Sequence, residues 1–82
     1  MPTAIKSISA AWTPVAQGPG EVVFSFNDDY GRFTLHSSSD PAAIAGGHKQ
    51  PPDTPFKLTL ASGDFLHLRG RGVATVSATT LI

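Results

Sequence analysis

With 82 residues and no cysteine, the chain is long enough for one small core of marginal stability and has no disulfide to reinforce it. Six basic side chains balance six acidic ones, so there is no broad electrostatic footprint for phosphate backbones or anionic lipid, and neither nucleic acid nor membrane is an expected partner. Leu, Ile, Val and Phe fill 20 positions, enough for a modest core, and partner subunits in a homo-oligomer are the expected source of further stability.

Residues 4–12 alternate loosely, with Ile8, Ala10 and Trp12 on one side, and Pro14 ends the regular run. This predicts a first strand at a sheet edge. Gln17-Gly18-Pro19-Gly20 is a dense turn signal, because glycine supplies positive φ and proline presets φ near −65°. Residues 21–26 then place Val22, Phe24 and Phe26 on one face. A loop over residues 27–31 follows, and residues 32–37 return with Phe33 and Leu35 on one face and Arg32, Thr34 and His36 on the other. That reads as a hairpin.

From Ser38 to Thr54 the periodicity disappears: three prolines and two adjacent glycines surround a lone large apolar residue, Ile44. A loop of that length in so small a domain is expected to serve a function or to be ordered by a partner. Asp40-Pro41 is a suitable start for one helical turn over residues 40–45, with Asp40 as cap, and an irregular path fits equally well.

Residues 55–82 carry the clearest pattern. Phe56, Leu58 and Leu60 alternate with Lys57 and Thr59, Ala61-Ser62-Gly63-Asp64 turns the chain, and Leu66 and Leu68 lie opposite a solvent-facing His67. After Gly70-Arg71-Gly72, small and β-branched residues alternate to Thr80. The stretch predicts a hairpin extended by a third strand into a meander. The whole chain, residues 1–82, is expected to be a single all-β domain, a small antiparallel β-sandwich or barrel of about six strands with one long irregular loop over residues 38–54.

Few residues suggest chemistry. His36 and Asp40 flank three serines, but neighbours in an extended strand point to opposite faces and do not converge as a catalytic relay requires. His36, His48 and His67 are dispersed, which disfavours a metal site, and Asn27-Asp28-Asp29 lacks the alternating ligands and distal Glu of a calcium loop. No cofactor is expected, and no enzyme. Arg69-Gly70-Arg71-Gly72 offers basic residues to a single strand of nucleic acid, yet the phenylalanines that would stack on bases occupy core positions, and a glycine-rich turn explains the segment. Trp12, Tyr30, Ile44, His48, Pro51, Pro52 and Phe56 are the candidates for an interface, as aromatic anchors or parts of the long loop.

The order of features resembles a group of small tailed-bacteriophage structural proteins. The resemblance rests on Trp12-Thr13, on Gly18-Pro19-Gly20-Glu21-Val22-Val23, on Ser37-Ser38-Ser39-Asp40-Pro41-Ala42-Ala43, on the Leu58 to Arg69 strand–turn–strand, and on Gly72 to Ser77. It spans residues 8–79, and residues 49–55 depart from it in being richer in proline. It implies a structural protein of the virion, made in the host cytoplasm without a signal peptide. Such a subunit decorates or cements the capsid shell, or sits in the tail or its fibre adaptor, with other virion proteins as partners and a trimer as the expected oligomer. A carbohydrate- or receptor-binding module using Trp12, Tyr30 and the long loop is the alternative from a different class.

Overall fold

The computed structural model of the chain describes residues 1–36 and 47–82. The described residues form eight strands: β1 (Thr3–Ser7), β2 (Thr13–Gln17), β3 (Gly20–Phe26), β4 (Gly31–His36), β5 (His48–Gln50), β6 (Phe56–Leu60), β7 (Phe65–Arg69) and β8 (Val73–Ala78). They make two four-stranded antiparallel sheets, sheet one in the order β1-β8-β3-β6 and sheet two in the order β2-β7-β4-β5. The all-β expectation holds, and the sandwich is the right one of the two architectures.

The strands pair first with last, second with seventh, third with sixth and fourth with fifth. This is the order of a jelly roll, in which one long antiparallel ribbon is wrapped into two facing sheets. The predicted hairpins are therefore corrected. β3 and β4 belong to different sheets, as do β6 and β7, and β7 and β8. Each turn falls where the sequence predicts it, but it carries the chain across the sandwich instead of back along the same sheet. The reason lies in the inward faces: Phe24 of β3 and Phe33 of β4 meet across the core with ring centroids 5.1 Å apart, an edge-to-face arrangement that two neighbours in one sheet would not need.

The core between the sheets takes the apolar half of each alternation. Val22, Phe24 and Phe26 come from β3, Leu60 from β6, Leu66 and Leu68 from β7, and Ala74, Val76 and Ala78 from β8, all buried. Small residues on β8 face the phenylalanines of β3, so the centre fills without overpacking.

Two strands were missed. β2 contains Pro14, which was expected to end regular structure, but β2 is an edge strand, and its register slips between Pro14 and Ala16. Edges and bulges are where a strand tolerates a residue without an amide hydrogen. β5 lies inside the stretch expected to be irregular, and Pro52 bridges Phe26 just beyond it. The helical turn considered for residues 40–45 falls outside the described residues.

The four sheet edges are treated differently. β2 is covered by the chain after β8, because the Gln17 amide donates to the Thr80 carbonyl, the Ile82 amide donates to the Val15 carbonyl, and Ala16 bridges Leu81. β5 spans three residues and offers little to pair with. β6 carries Lys57 outward, where it meets Glu21 at 3.1 Å. β1 keeps a five-residue outer edge that no strand among the described residues covers.

Candidate functional site

The outer faces of the two sheets differ in kind. On the outer face of sheet one, the positions toward the β1 edge are Thr3, Ile5 and Ser7 of β1, Val73, Thr75 and Ser77 of β8, and Val23 and Ser25 of β3. Glu21 of β3 and Lys57 and Thr59 of β6 occupy the far side, where Glu21 and Lys57 pair. Those toward the β1 edge are all uncharged. The Thr3 and Ser77 hydroxyls share a 2.6 Å hydrogen bond, and Asn27 Nδ2 donates to Thr75 Oγ1 at 3.0 Å. Polar groups thus satisfy one another laterally, which lowers the cost of removing water from this face. Ile5 stands out of it, 69% exposed, with Met1 beside the same edge at 62%.

On sheet two, β4 and β7 place Phe33, Leu66 and Leu68 inward, so Arg32 and Arg69 face outward and are directly opposite in register. Arg32 is in turn opposite Lys49 on β5. Three cations therefore stand in a row across β7, β4 and β5. Like charges facing each other across strands disfavour the pairing, and two aromatic contacts offset this: Arg69 lies over the Trp12 ring at 4.8 Å and Lys49 over the Tyr30 ring at 4.7 Å.

At the end of this row, Ala10, Gly31, Arg32, Arg69, Gly70 and Arg71 line an open cavity of about 270 Å³. All three arginines of the chain are in it. Two glycines make the convergence possible. A Cβ on Gly31 would sit 2.2 Å from the Phe26 ring, and one on Gly70 would sit 3.1 Å from the Gly31 Cα, so the two backbones touch where side chains would hold them apart. The turn that carries Arg71 is clamped from the neighbouring loops. The Gly70 amide donates to the Ser9 carbonyl, the Ile8 amide donates to the Gly72 carbonyl, and the Val73 amide donates to Asp28 Oδ2.

A second cavity, about 410 Å³, opens between β4, β5 and β6 and is lined by Phe33, Thr34, Leu35, His48, Phe56 and Leu58. It is an apolar groove over the core: Phe33 and Phe56 pack at 5.0 Å, and His48 lies 5.4 Å from Phe33.

The candidate interface residues are placed as follows. His48 and Phe56 meet at the apolar groove. Tyr30 is 52% exposed at the rim of the cationic row, and Pro51 and Pro52 follow β5, the first exposed and the second half-buried. Trp12 is only 7% exposed, wedged between Arg69 and Gly47, whose added Cβ would lie 2.5 Å from the ring. It packs within the chain and presents no free ring face. Ile44 lies outside the described residues.

His67 is corrected. It does face away from the core, opposite Pro14 and Thr34 in register, yet it is fully buried, so outward on this sheet does not mean solvent-facing. The residues that sequence reasoning missed are Arg32 and Lys49 as companions of Arg69 and Arg71. Alternation marks Arg32 as outward, but only the register between β4 and β7, strands almost thirty residues apart, brings it beside Arg69.

Among the described residues, no cluster of three or more histidines and carboxylates is spaced to hold a metal ion. No family model, no curated protein and no solved structure matches the chain.

Proposed function

We propose that the chain is a structural component of a tailed-phage virion, a decoration or cement subunit of the capsid shell that acts through subunit contacts. The observation that carries this reading is the outer side of sheet one: a β1 edge that no described strand covers, beside an uncharged stretch of the face, with Ile5 and Met1 exposed. An open edge can accept a further strand through backbone hydrogen bonds, and exposed apolar side chains beside it supply burial.

Size supports it. The fold is a slab of 30 × 28 × 17 Å, and its broad face has on the order of 800 Å², the area each partner contributes to a standard stable interface. The jelly-roll order also occurs in viral capsid domains, as it does in lectins, and that analogy speaks to scaffold use and not to activity. The resemblance of residues 8–79 to small phage structural proteins points the same way.

The carbohydrate-binding alternative loses its main platform, because Trp12 is buried and its ring is covered by Arg69. A tail or fibre-adaptor position would use the same contacts as a capsid position. Mass spectrometry of purified particles tests the reading: the chain is expected in many copies per capsid, and its absence from particles would overturn the proposal. Ile5→Asp is expected to leave the isolated chain folded and to remove it from particles.

A further inference from the structure

We propose that the cavity lined by Arg32, Arg69 and Arg71 is a carboxylate-binding site that seats an acidic segment of a partner protein. That the partner is another virion protein rests on the preceding reading; the chemistry of the site does not.

Three observations carry the proposal. The first is the charge row itself. The chain is neutral overall, yet three cations are placed in cross-strand register on one face, with a fourth, the exposed Arg71, in the adjoining turn. Like charges in cross-strand register repel one another, and a carboxylate reached by Arg32 and Arg71 lowers that repulsion. The second is preorganisation. Arg69 is stacked on Trp12, and Arg71 is carried by a turn clamped to Ser9, Ile8 and Asp28, so less side-chain and loop freedom remains to be lost on binding.

The third is the lining, which selects among anions. Among the described residues its side chains are guanidiniums and a single methyl group, and the rest is the backbone of two glycines. Planar guanidinium forks match carboxylates in two-point hydrogen bonding. Among the described residues the lining has no Asn, Gln, Asp or Glu to read sugar hydroxyls. Trp12 is buried under Arg69, and Tyr30 has Lys49 over its ring, an arrangement that favours anions over a stacked base or pyranose. An extended acidic peptide fits the remaining geometry. Carboxylates at alternate positions are about 7 Å apart, within the roughly 10 Å that three neighbouring strands span. Arg, Trp and Tyr are also the residue types that dominate protein–protein hot spots.

The test uses the purified chain and a fluorescein-labelled, end-blocked hexapeptide of alternating Asp and Ser, read by fluorescence anisotropy at low salt. Saturable binding is expected that weakens as salt is added, and Arg32→Gln and Arg71→Gln are each expected to weaken it about tenfold. Arg71→Lys, which keeps the charge and loses the fork, should fall between, and Lys57→Gln should bind like the parent. Thermal melts confirm that each variant is folded, and amide shifts of Gly31 and Gly70 on adding peptide locate the site. No binding at low salt, a loss in Lys57→Gln equal to that in Arg71→Gln, or tighter binding of oligogalacturonate, oligo-dT or inorganic phosphate would overturn the proposal. Because the assay needs no particles, peptide binding by a chain absent from virions would overturn the functional reading alone.

Discussion

The outer faces of the two sheets are built from the same alternation and do opposite things with it. Toward its β1 edge, sheet one spends its outward positions on Thr, Ser, Val and Ile5 and ties the Thr3 and Ser77 hydroxyls to each other. Sheet two spends them on Arg, Lys and His, lays cations over aromatic rings, and encloses a cavity against the neighbouring loops. The difference teaches that an alternating pattern specifies a sandwich without specifying what either surface is for. An uncharged stretch beside an open edge suits contact with another subunit, whereas a stacked cationic face suits recognition of discrete charge.

The sharpest way to break this contrast is at Trp12. If the ring is part of the internal support of sheet two, Trp12→Ala should cost about 3–5 kcal/mol in urea unfolding. A loss below about 0.5 kcal/mol, the scale of a surface substitution, would make it an external docking ring after all. Gly31→Ala comes next. The added methyl collides with the Phe26 ring, and a destabilisation of about 1–3 kcal/mol is expected, together with perturbed amide shifts at Gly70 in a heteronuclear spectrum.

Thr75→Val probes sheet one. It removes the partner of the half-buried Asn27 side chain, and about 1 kcal/mol should be lost in thermal or chemical melts. The smallest effect is the most telling of sign. Arg32→Gln removes one member of the cationic row, so stability at low salt should rise or stay level, by no more than about 0.5 kcal/mol. The gain should shrink as added salt screens the row. A clear loss would mean that the row is held by attractions stronger than its own repulsion.

Much of the fold was legible because inward positions recur with period two. Val22, Phe24 and Phe26, Leu58 and Leu60, Leu66 and Leu68, and the small residues of β8 all declared their strands, and Gly18-Pro19 and residues 61–64 declared turns. Pro14 concealed β2, since a proline argues against a strand unless its edge position is known, and that position depends on distant pairing. The partners of each strand were illegible for the same reason. Turn chemistry reports that the chain reverses and says nothing of whether it reverses within a sheet or across two. The arginine cavity was half visible: Arg69 and Arg71 stood out in a glycine-rich turn, but Arg32 joins them only through the β4–β7 register, and the need for glycine at positions 31 and 70 appears only when the backbones meet. His67 shows the remaining limit, because alternation gives direction and not depth.

The place of β8 in sheet one has a consequence in time. It lies between β1 and β3, so Thr3 must wait for Ser77, its register partner, and during synthesis sheet one cannot close until nearly the whole described chain has emerged. Among the described strands, only β4 and β5 pair as neighbours in order. Folding dominated by such distant pairings runs on the order of milliseconds to seconds, and until β8 arrives both β1 and β3 offer bare edges. Crowded copies of the nascent chain would therefore meet one another through the very strand that the finished protein keeps open.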